Sequence, residues 1–397
     1  MGSTKHVGIW PVGSIAHEPD ETAEDLATVV RRQVGWTPDL CVLPGGELSN
    51  RADLPWVADI CQQIARALLS ETFDNLRRPL GGSRHGARQG KLRSVYLQLV
   101  NSLEDRTLER GQKYGDYVAR TVIGSLSYKR ARTAAANGAL PELGYARQAS
   151  AERSTLERIA NDLHGRPRIM VGVPTPLALR LFSGLVAPVP AIDEALLAEI
   201  QEILWHDRQT VIQFELPVET LLAMIWMPKR TRERFMFRLV KPLQLIVEKL
   251  PRDSRLAFHL CWGDLRGKQI VPKLLQSNRG KVFLINAIVG MSPWKAHELV
   301  AIHDPGGRTG KLSLRAYKHL RRFPEQTIFA IGALSPTMTI GRLLSRYNDI
   351  RQAVSKATGR TALAYSCGTG RLTVSQAAAM YATAQDITPD SDTTIGR

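Results

Sequence analysis

Eight short apolar runs recur along this sequence, and each ends near a glycine, a proline or a polar residue. They lie at residues 6–14, 39–47, 168–176, 210–217, 255–264, 298–307, 327–334 and 362–371. Helix-like stretches lie between runs, with apolar positions three and four residues apart, as at residues 18–35, 54–72, 192–207 and 345–359. A strand followed by a helix, repeated along the chain, is typical of an α/β protein with a parallel sheet.

Two architectures share this alternation, an open doubly wound sheet and a closed barrel. No G-x-G-x-x-G or Walker loop follows any of the runs, which disfavours an open nucleotide-binding sheet. Polar and metal-capable residues concentrate at the C-terminal ends of the runs, which is the face where a barrel builds its active site. We therefore predict a (β/α)8 TIM barrel, an α/β fold in a single domain.

The predicted barrel spans residues 1–380. A helix-rich segment at about residues 74–165 interrupts the alternation, and it begins with a basic, Gly-rich stretch. We interpret this segment as an insertion that covers the mouth of the barrel. The sequence becomes polar near its end, and residues 381–397 are predicted to be a C-terminal tail.

The charge and the cysteine content limit the partners and the compartment. The chain carries 53 Lys and Arg against 37 Asp and Glu, a net charge of +16. Its basic groups lack the interleaved aromatics of a base-stacking surface, so an anionic small molecule is a better candidate partner than nucleic acid. No run approaches the roughly 20 apolar residues that cross a membrane. Four dispersed cysteines favour a reducing compartment, and we expect the cytoplasm. Nothing indicates an oligomeric state.

Three residues at the ends of two runs are candidate zinc ligands. His259 and Cys261 alternate at the end of one run, so their side chains face the same side of a strand. Alone, such a pair also fits two ordinary core residues. Cys367 follows the last run, in YSCGTGR, where it would lie at the same barrel mouth. Cys sulfur and His nitrogen bind Zn²⁺ in tetrahedral sites, and a catalytic site keeps one position open.

The motifs FHLCWGDL and YSCGTGR resemble the H-x-C and C-G-x-x-R motifs of the cobalamin-independent methionine synthase family. The similarity is to that family's catalytic barrel, whose single-barrel relatives include epoxyalkane:coenzyme M transferase. PVGSI is similar to the first-strand I-G-S loop, which holds the amino-acid carboxylate and maps to Gly13 and Ser14. LPGGELSNR is similar to the H-G-E strand end and maps to Glu47. IQFELP is similar to I-Q-x-D-x-P and places Glu215 where the family has aspartate. VPTPLAL is similar to the T-G-P loop.

The resemblance implies a zinc-dependent S-alkyltransferase, in which a zinc-bound thiolate attacks the alkyl donor. It implies His259, Cys261 and Cys367 as ligands, and small-molecule partners, a thiol and an alkyl donor. The residues assigned to catalysis are Asp264 and Glu215. The residues assigned to substrate binding are Gly13, Ser14, Glu47, Glu215 and Arg371.

Several positions depart from the family's pattern. His303 stands nearest to a glutamate ligand of the family, and it either replaces that ligand or lines the pocket. Glu215 is one methylene longer than the aspartate that meets the substrate amine. The predicted chain is one barrel rather than two, and residues 114–125 lack a match to the folate-stacking tryptophan. The alkyl donor is therefore open.

Other assigned residues have simpler alternatives. Glu47 could cap the helix that begins near Asp53. Asp264 either orients a ligand histidine or binds substrate, or else it caps the following helix. Arg371 pairs with an anionic substrate group or bridges to a nearby carboxylate.

Two other functions fit the same sequence. One is a barrel enzyme whose zinc acts as a Lewis acid on an epoxide or a carbonyl. The other is a non-catalytic protein that binds nucleic acid or another partner through its basic surface.

Overall fold

The structure is a computed structural model. It describes residues 5–11, 15–16, 26–36, 41–45, 143–163, 166–182, 190–224, 229–260, 264–265, 268–269, 278–305, 314–335, 338–365 and 372–385. Within these residues, no helix is long and apolar enough to cross a membrane.

Eight parallel strands form a nearly closed barrel, which confirms the predicted (β/α)8 fold. They are β1 (Lys5–Trp10), β2 (Val42–Gly45), β3 (Arg168–Pro174), β4 (Val211–Glu215), β5 (Arg255–His259), β8 (Glu298–Asp304), β9 (Ile328–Leu334) and β10 (Arg360–Tyr365). A small antiparallel pair, β6 (Asp264–Leu265) and β7 (Lys268–Gln269), follows β5. The strand order is β1-β10-β9-β8-β5-β4-β3-β2. At the seam, the N–H of Cys41, just before β2, donates to the carbonyl of Ile9 in β1 at 2.9 Å.

Helices alternate with these strands. They are α1 (Leu26–Trp36), α2 (Tyr145–Asp162), α3 (Pro176–Phe182), α4 (Pro190–His206), α5 (Pro217–Met224), α6 (Lys229–Val247), α7 (Asn278–Val289), α8 (Ile340–Val354) and α9 (Val374–Gln385). Two short 3-10 helices cover Ser292–Lys295 and Arg315–His319. Proline begins α3, α4 and α5, where the first turn needs no intrahelical N–H bond. The start of α2 is capped by the Glu199 carboxylate, which accepts from the N–H groups of Gly144 and Ala146 at 2.8 and 2.7 Å.

The chain divides into two compact units. The first comprises Met1–Asp53, Gly144–Thr175 and Leu197–Arg397, and it contains all eight barrel strands. The second comprises Leu54–Leu143 and Pro176–Leu196. Its described part contains α3 and the start of α4, which are joined by an ion pair between Arg180 and Asp193.

The predicted domain limits stay predictions. Most of the segment at about residues 74–165 lies outside the described residues, and its last part is α2, which packs on α1, β2 and β3. The segment predicted as a tail, 381–397, begins inside α9, where Tyr381 and Ala384 are buried. Its remainder, residues 386–397, lies outside the described residues.

One apolar cluster draws residues from all eight barrel strands and therefore fills the barrel interior. Its members are Trp10, Val42, Met170, Val211, Ala257, Val300, Ala301, Ile328, Ala330, Ala362 and Ala364. Five of these are alanines, and their small side chains leave room for the Trp10 indole, which is among the largest fully buried side chains. The interior is therefore packed largely with apolar side chains.

Candidate functional site

Three polar side chains lie at one level across three neighbouring strands. Glu215 ends β4 and is in register with His259, which ends β5. His259 is in register with His303, the residue before the last of β8. All three were assigned from the sequence, and the structure brings them together at the C-terminal end of the barrel. Each strand is buried before this point, so the apolar interior fixes where these side chains emerge.

The two histidines face each other closely. The Nδ1 atoms of His259 and His303 are 2.5 Å apart, and the rings stack with centroids 4.5 Å apart and planes at 26°. Both side chains are fully buried. Burial lowers the pKa of the His303 imidazole to about 4, so this ring is neutral near pH 7.

Hydrogen-bond partners determine the tautomer of His303. Its Nε2 lies 2.9 Å from the backbone carbonyl of Tyr365. A carbonyl oxygen only accepts, so Nε2 carries the hydrogen and the Nδ1 of this neutral ring is a lone pair. Without a metal, the facing Nδ1 of His259 must donate its hydrogen to that lone pair. With a metal, both Nδ1 atoms are free to be ligands.

Glu215 stands on the other side of His259. Its Oε2 lies 3.6 Å from the His259 Nε2, within ion-pair range but longer than a hydrogen bond. Its Oε1 accepts a hydrogen bond from the Gln213 amide at 2.8 Å. Gln213 Oε1 in turn accepts from the Trp10 indole N–H at 3.2 Å.

Sequence reasoning assigned no role to Gln213 and Trp10. Gln213 was detectable, since it lies two positions before Glu215 and therefore on the same face of β4. Trp10 was not detectable, because its contact with Gln213 joins β1 to β4 across 203 positions of sequence. Its partner depends on the strand order, which no local pattern reveals.

The donor set at this level is suited to zinc, although it is incomplete in the described part of the chain. Two imidazole nitrogens converge, and their outer nitrogens face oxygen acceptors, the Tyr365 carbonyl and the Glu215 carboxylate. Such outer contacts orient metal-binding histidines in known sites. Among the described residues, however, no group of three or more His, Cys, Asp or Glu side chains is arranged to hold a metal ion.

Most other predicted site residues fall outside the described residues. These are Gly13, Ser14, Glu47, Cys261, Cys367 and Arg371. Their assignments therefore stay predictions. Asp264 begins β6 opposite Gln269 of β7, so its backbone is in a strand and not at the start of a helix.

A second buried polar group lies behind His303. Asp304 is the next residue of β8 and points to the opposite face, where it pairs with Lys281 of α7. The Tyr317 hydroxyl donates to Asp304 Oδ2 at 2.5 Å, and Lys281 Nζ lies 3.4 Å from that hydroxyl. Burial lowers the pKa of Lys281 and raises that of Tyr317 well above its usual value. This group holds the end of β8 against α7 and the adjoining 3-10 helix.

A close backbone approach also holds the end of β8. A Cβ atom at Gly332 of β9 would lie 2.8 Å from the Asp304 carbonyl oxygen and 2.8 Å from the Pro305 Cα. Only glycine fits there without moving backbone. The strand that carries His303 is thus fixed on two sides.

One more carboxyl is buried near the end of β4. Glu219 lies in the first turn of α5, and burial raises its pKa to about 7. The Thr175 side chain donates a hydrogen bond that favours its charged form and offsets part of this effect. Glu219 Oε2 is buried without a hydrogen-bond partner in the described part of the chain.

No family model matches this sequence, and no curated protein matches it. Solved structures are similar to it at low identity. One is a B12-independent methionine synthase from Shewanella sp. W3-18-1 in complex with selenomethionine, with 13% identity, a TM-score of 0.38, and 59% of this chain and 66% of that chain covered. Another is a putative vitamin-B12 independent methionine synthase from Listeria monocytogenes, with 12% identity, a TM-score of 0.35, and 59% and 70% covered. The chain thus spans slightly less than two thirds of the first of these structures.

Proposed function

We propose that this protein is a zinc-dependent S-alkyltransferase that moves a methyl or other alkyl group to or from a thiol. The observation that carries the proposal is the buried pair of Nδ1 atoms, 2.5 Å apart, at the C-terminal end of the barrel. Two buried imidazoles in contact are costly in an apolar barrel unless both nitrogens of each ring are used. The proposed ligands are His259, Cys261, His303 and Cys367.

The chemistry of a bound zinc ion addresses the weakness of a thiol as nucleophile. When bound, zinc lowers the pKa of a coordinated thiol from about 8.5 and so supplies a thiolate at neutral pH. The thiol proton must then leave the site. Glu215 is suited to accept it, because its side chain is 19% exposed while His259 is 1% exposed. Glu215 therefore connects the buried pair to solvent.

The other roles complete the proposal. Asp264 is proposed to assist catalysis, and Gly13, Ser14, Glu47 and Arg371 are proposed to bind substrate. The partners are a small-molecule thiol and an alkyl donor, and the net charge of +16 favours an anionic one. Cysteine ligands need a reducing compartment, which fits the cytoplasm.

The first test is zinc content together with turnover. Protein purified without a metal-binding tag is expected to hold about one zinc per chain. His259→Gln, His303→Gln, Cys261→Ser and Cys367→Ser should each lose zinc and thioether formation, measured by elemental analysis and mass spectrometry. His319→Gln is the matched control, since His319 is exposed.

Three results would contradict the proposal. Equal zinc content in wild type and all four ligand variants would show that these four residues do not bind zinc. Full thioether formation by zinc-free protein would show that zinc takes no part in the reaction. Turnover of an epoxide or carbonyl compound without any thiol would favour the Lewis-acid enzyme instead.

A further inference from the structure

Trp10 and Gln213 form a hydrogen-bonded brace that crosses the barrel interior and ends on Glu215. Neither residue belongs to the proposed ligand set. We propose that these two are positioning residues, which hold Glu215 beside His259 and thereby orient the His259 ring toward His303. The inference deepens the proposed function, and only its metal readout rests on that function.

The chemistry of the brace allows one orientation of the Gln213 amide. An indole N–H only donates, so the group 3.2 Å from Trp10 Nε1 must be the amide oxygen. The amide N–H group therefore faces Glu215 Oε1, 2.8 Å away. A flipped amide would set its N–H against the indole N–H and its oxygen against the carboxylate. Gln213 is fully buried, so water cannot compensate for such a flip.

The fixed amide then constrains Glu215. A glutamate side chain has three rotatable bonds, and a hydrogen bond to Oε1 at a buried donor removes much of that freedom. With Oε1 held by Gln213, Oε2 lies 3.6 Å from His259 Nε2. The outer nitrogen of His259 thus faces a held carboxylate oxygen, which is the kind of contact that orients a metal-binding imidazole. Trp10 therefore acts on His259 through two intervening side chains.

The brace lies among apolar side chains, where a polar pair is an expensive way to fill space. Trp10 belongs to the apolar cluster in the barrel interior, in which five alanines also lie. Burying an amide in such a place costs free energy unless every hydrogen bond is made. A methionine would fill the Gln213 position without that requirement. We therefore expect the Trp10–Gln213 hydrogen bond to serve the polar side chains at the strand ends, beginning with Glu215.

The test removes both partners of the Trp10–Gln213 hydrogen bond. Trp10→Phe removes the indole N–H together with part of the ring, and Gln213→Met keeps the length of the side chain. Glu215 loses its Gln213 donor in the double variant, but its side chain is 19% exposed to water. Trp294→Phe is the matched control, because it removes an indole hydrogen bond of 2.9 Å, to the Ile288 carbonyl, that is not part of the brace.

Two measurements, both made at the same pH, report how the double variant affects His259. Ring ¹⁵N chemical shifts in zinc-free protein report the surroundings of His259 Nε2, with the signal assigned by comparison with His259→Gln. We expect the same His259 ring shifts in wild type and in Trp294→Phe, and a changed Nε2 shift in the double variant, because Glu215 is no longer held beside that nitrogen. Zinc affinity, measured by competition with a chelator, should fall about 10–100-fold in the double variant.

The outcomes separate the brace from the proposed function. Unchanged His259 shifts in a double variant that unfolds at the same urea concentration as Trp294→Phe would overturn the brace. So would an unchanged zinc affinity, where wild type binds zinc. If wild type binds no zinc, the proposed function fails, while the nitrogen shifts still test the brace.

Discussion

Glu219 is a buried carboxyl whose folded-state pKa of about 7 lies above the usual value of 4.5 for a solvated glutamate. Because the folded state binds this proton more tightly, its stabilising effect is complete below about pH 4.5 and is lost as the pH rises through about 7. Glu219→Gln cannot ionise and should escape that loss. We expect the free energy of unfolding of wild type to fall relative to this variant by on the order of 3 kcal/mol between about pH 5 and pH 8. Urea unfolding across this pH range measures it.

Two further variants test whether Glu219 causes this pH dependence of stability. Thr175→Val removes a hydrogen bond that favours the charged carboxylate, so the folded-state pKa of Glu219 should rise and the loss of stability by pH 8 should be larger. Glu202→Gln alters an exposed residue of α4 and should leave the pH dependence unchanged. Parallel curves for wild type and Glu219→Gln would show that this carboxyl does not control stability.

At the level of single residues, the sequence was informative about position and uninformative about partners. Apolar runs end where polar side chains emerge, so Glu215, His259 and His303 could each be assigned to a strand end. That they meet follows from the register of β4, β5 and β8. A buried residue such as Trp10 looks like an ordinary strand residue, since hydrogen bonding across a barrel leaves no local signal. The assignment of His303 as a metal ligand stays a prediction.

The end of β8 is the element on which the site depends most. Asp304 faces two cations, the buried Lys281 by direct contact and the half-buried Arg346 through its charge. Asp304→Asn should therefore cost on the order of 3–5 kcal/mol, because it leaves both cations without their carboxylate. Lys281→Met should cost less, since Arg346 still balances Asp304. Adding Lys281→Met to Asp304→Asn should recover part of the loss.

Urea unfolding of the single and double variants measures this coupling. The midpoints should shift without a change in the denaturant dependence. Strictly additive effects in the double variant would mean that Lys281 and Asp304 are energetically independent, against the geometry. The sequence could not reveal this group, because Lys281 lies in a helix where a lysine is usually solvated and is here fully buried.

On the scale of the whole molecule, the fold was predictable because the same sequence pattern, an apolar run followed by a helix-like stretch, is repeated along the chain. Eight apolar runs gave eight strands, and each run contributed evidence for the same architecture. The strand β9 is buried at every position, as expected for a strand covered on both faces. Contacts between distant elements, such as β1 with β4 through Trp10 and Gln213, depend on closure of the barrel and had to be observed.

Closure also links the proposed metal to the stability of the entire barrel. The proposed ligands belong to β5 and β8 and to the segments that follow β5 and β10, so a bound ion would join distant parts of the chain. A ligand that binds only the folded state raises its stability, by about 2.7 kcal/mol at a free concentration of about 100 times Kd.

Wild type treated with EDTA should therefore melt at a lower temperature than wild type with zinc. His259→Gln should melt at the same temperature under both conditions. Magnesium should not replace zinc, because it prefers oxygen ligands. A wild-type melting temperature that does not respond to zinc, or an equal response in His259→Gln, would separate this histidine from metal binding.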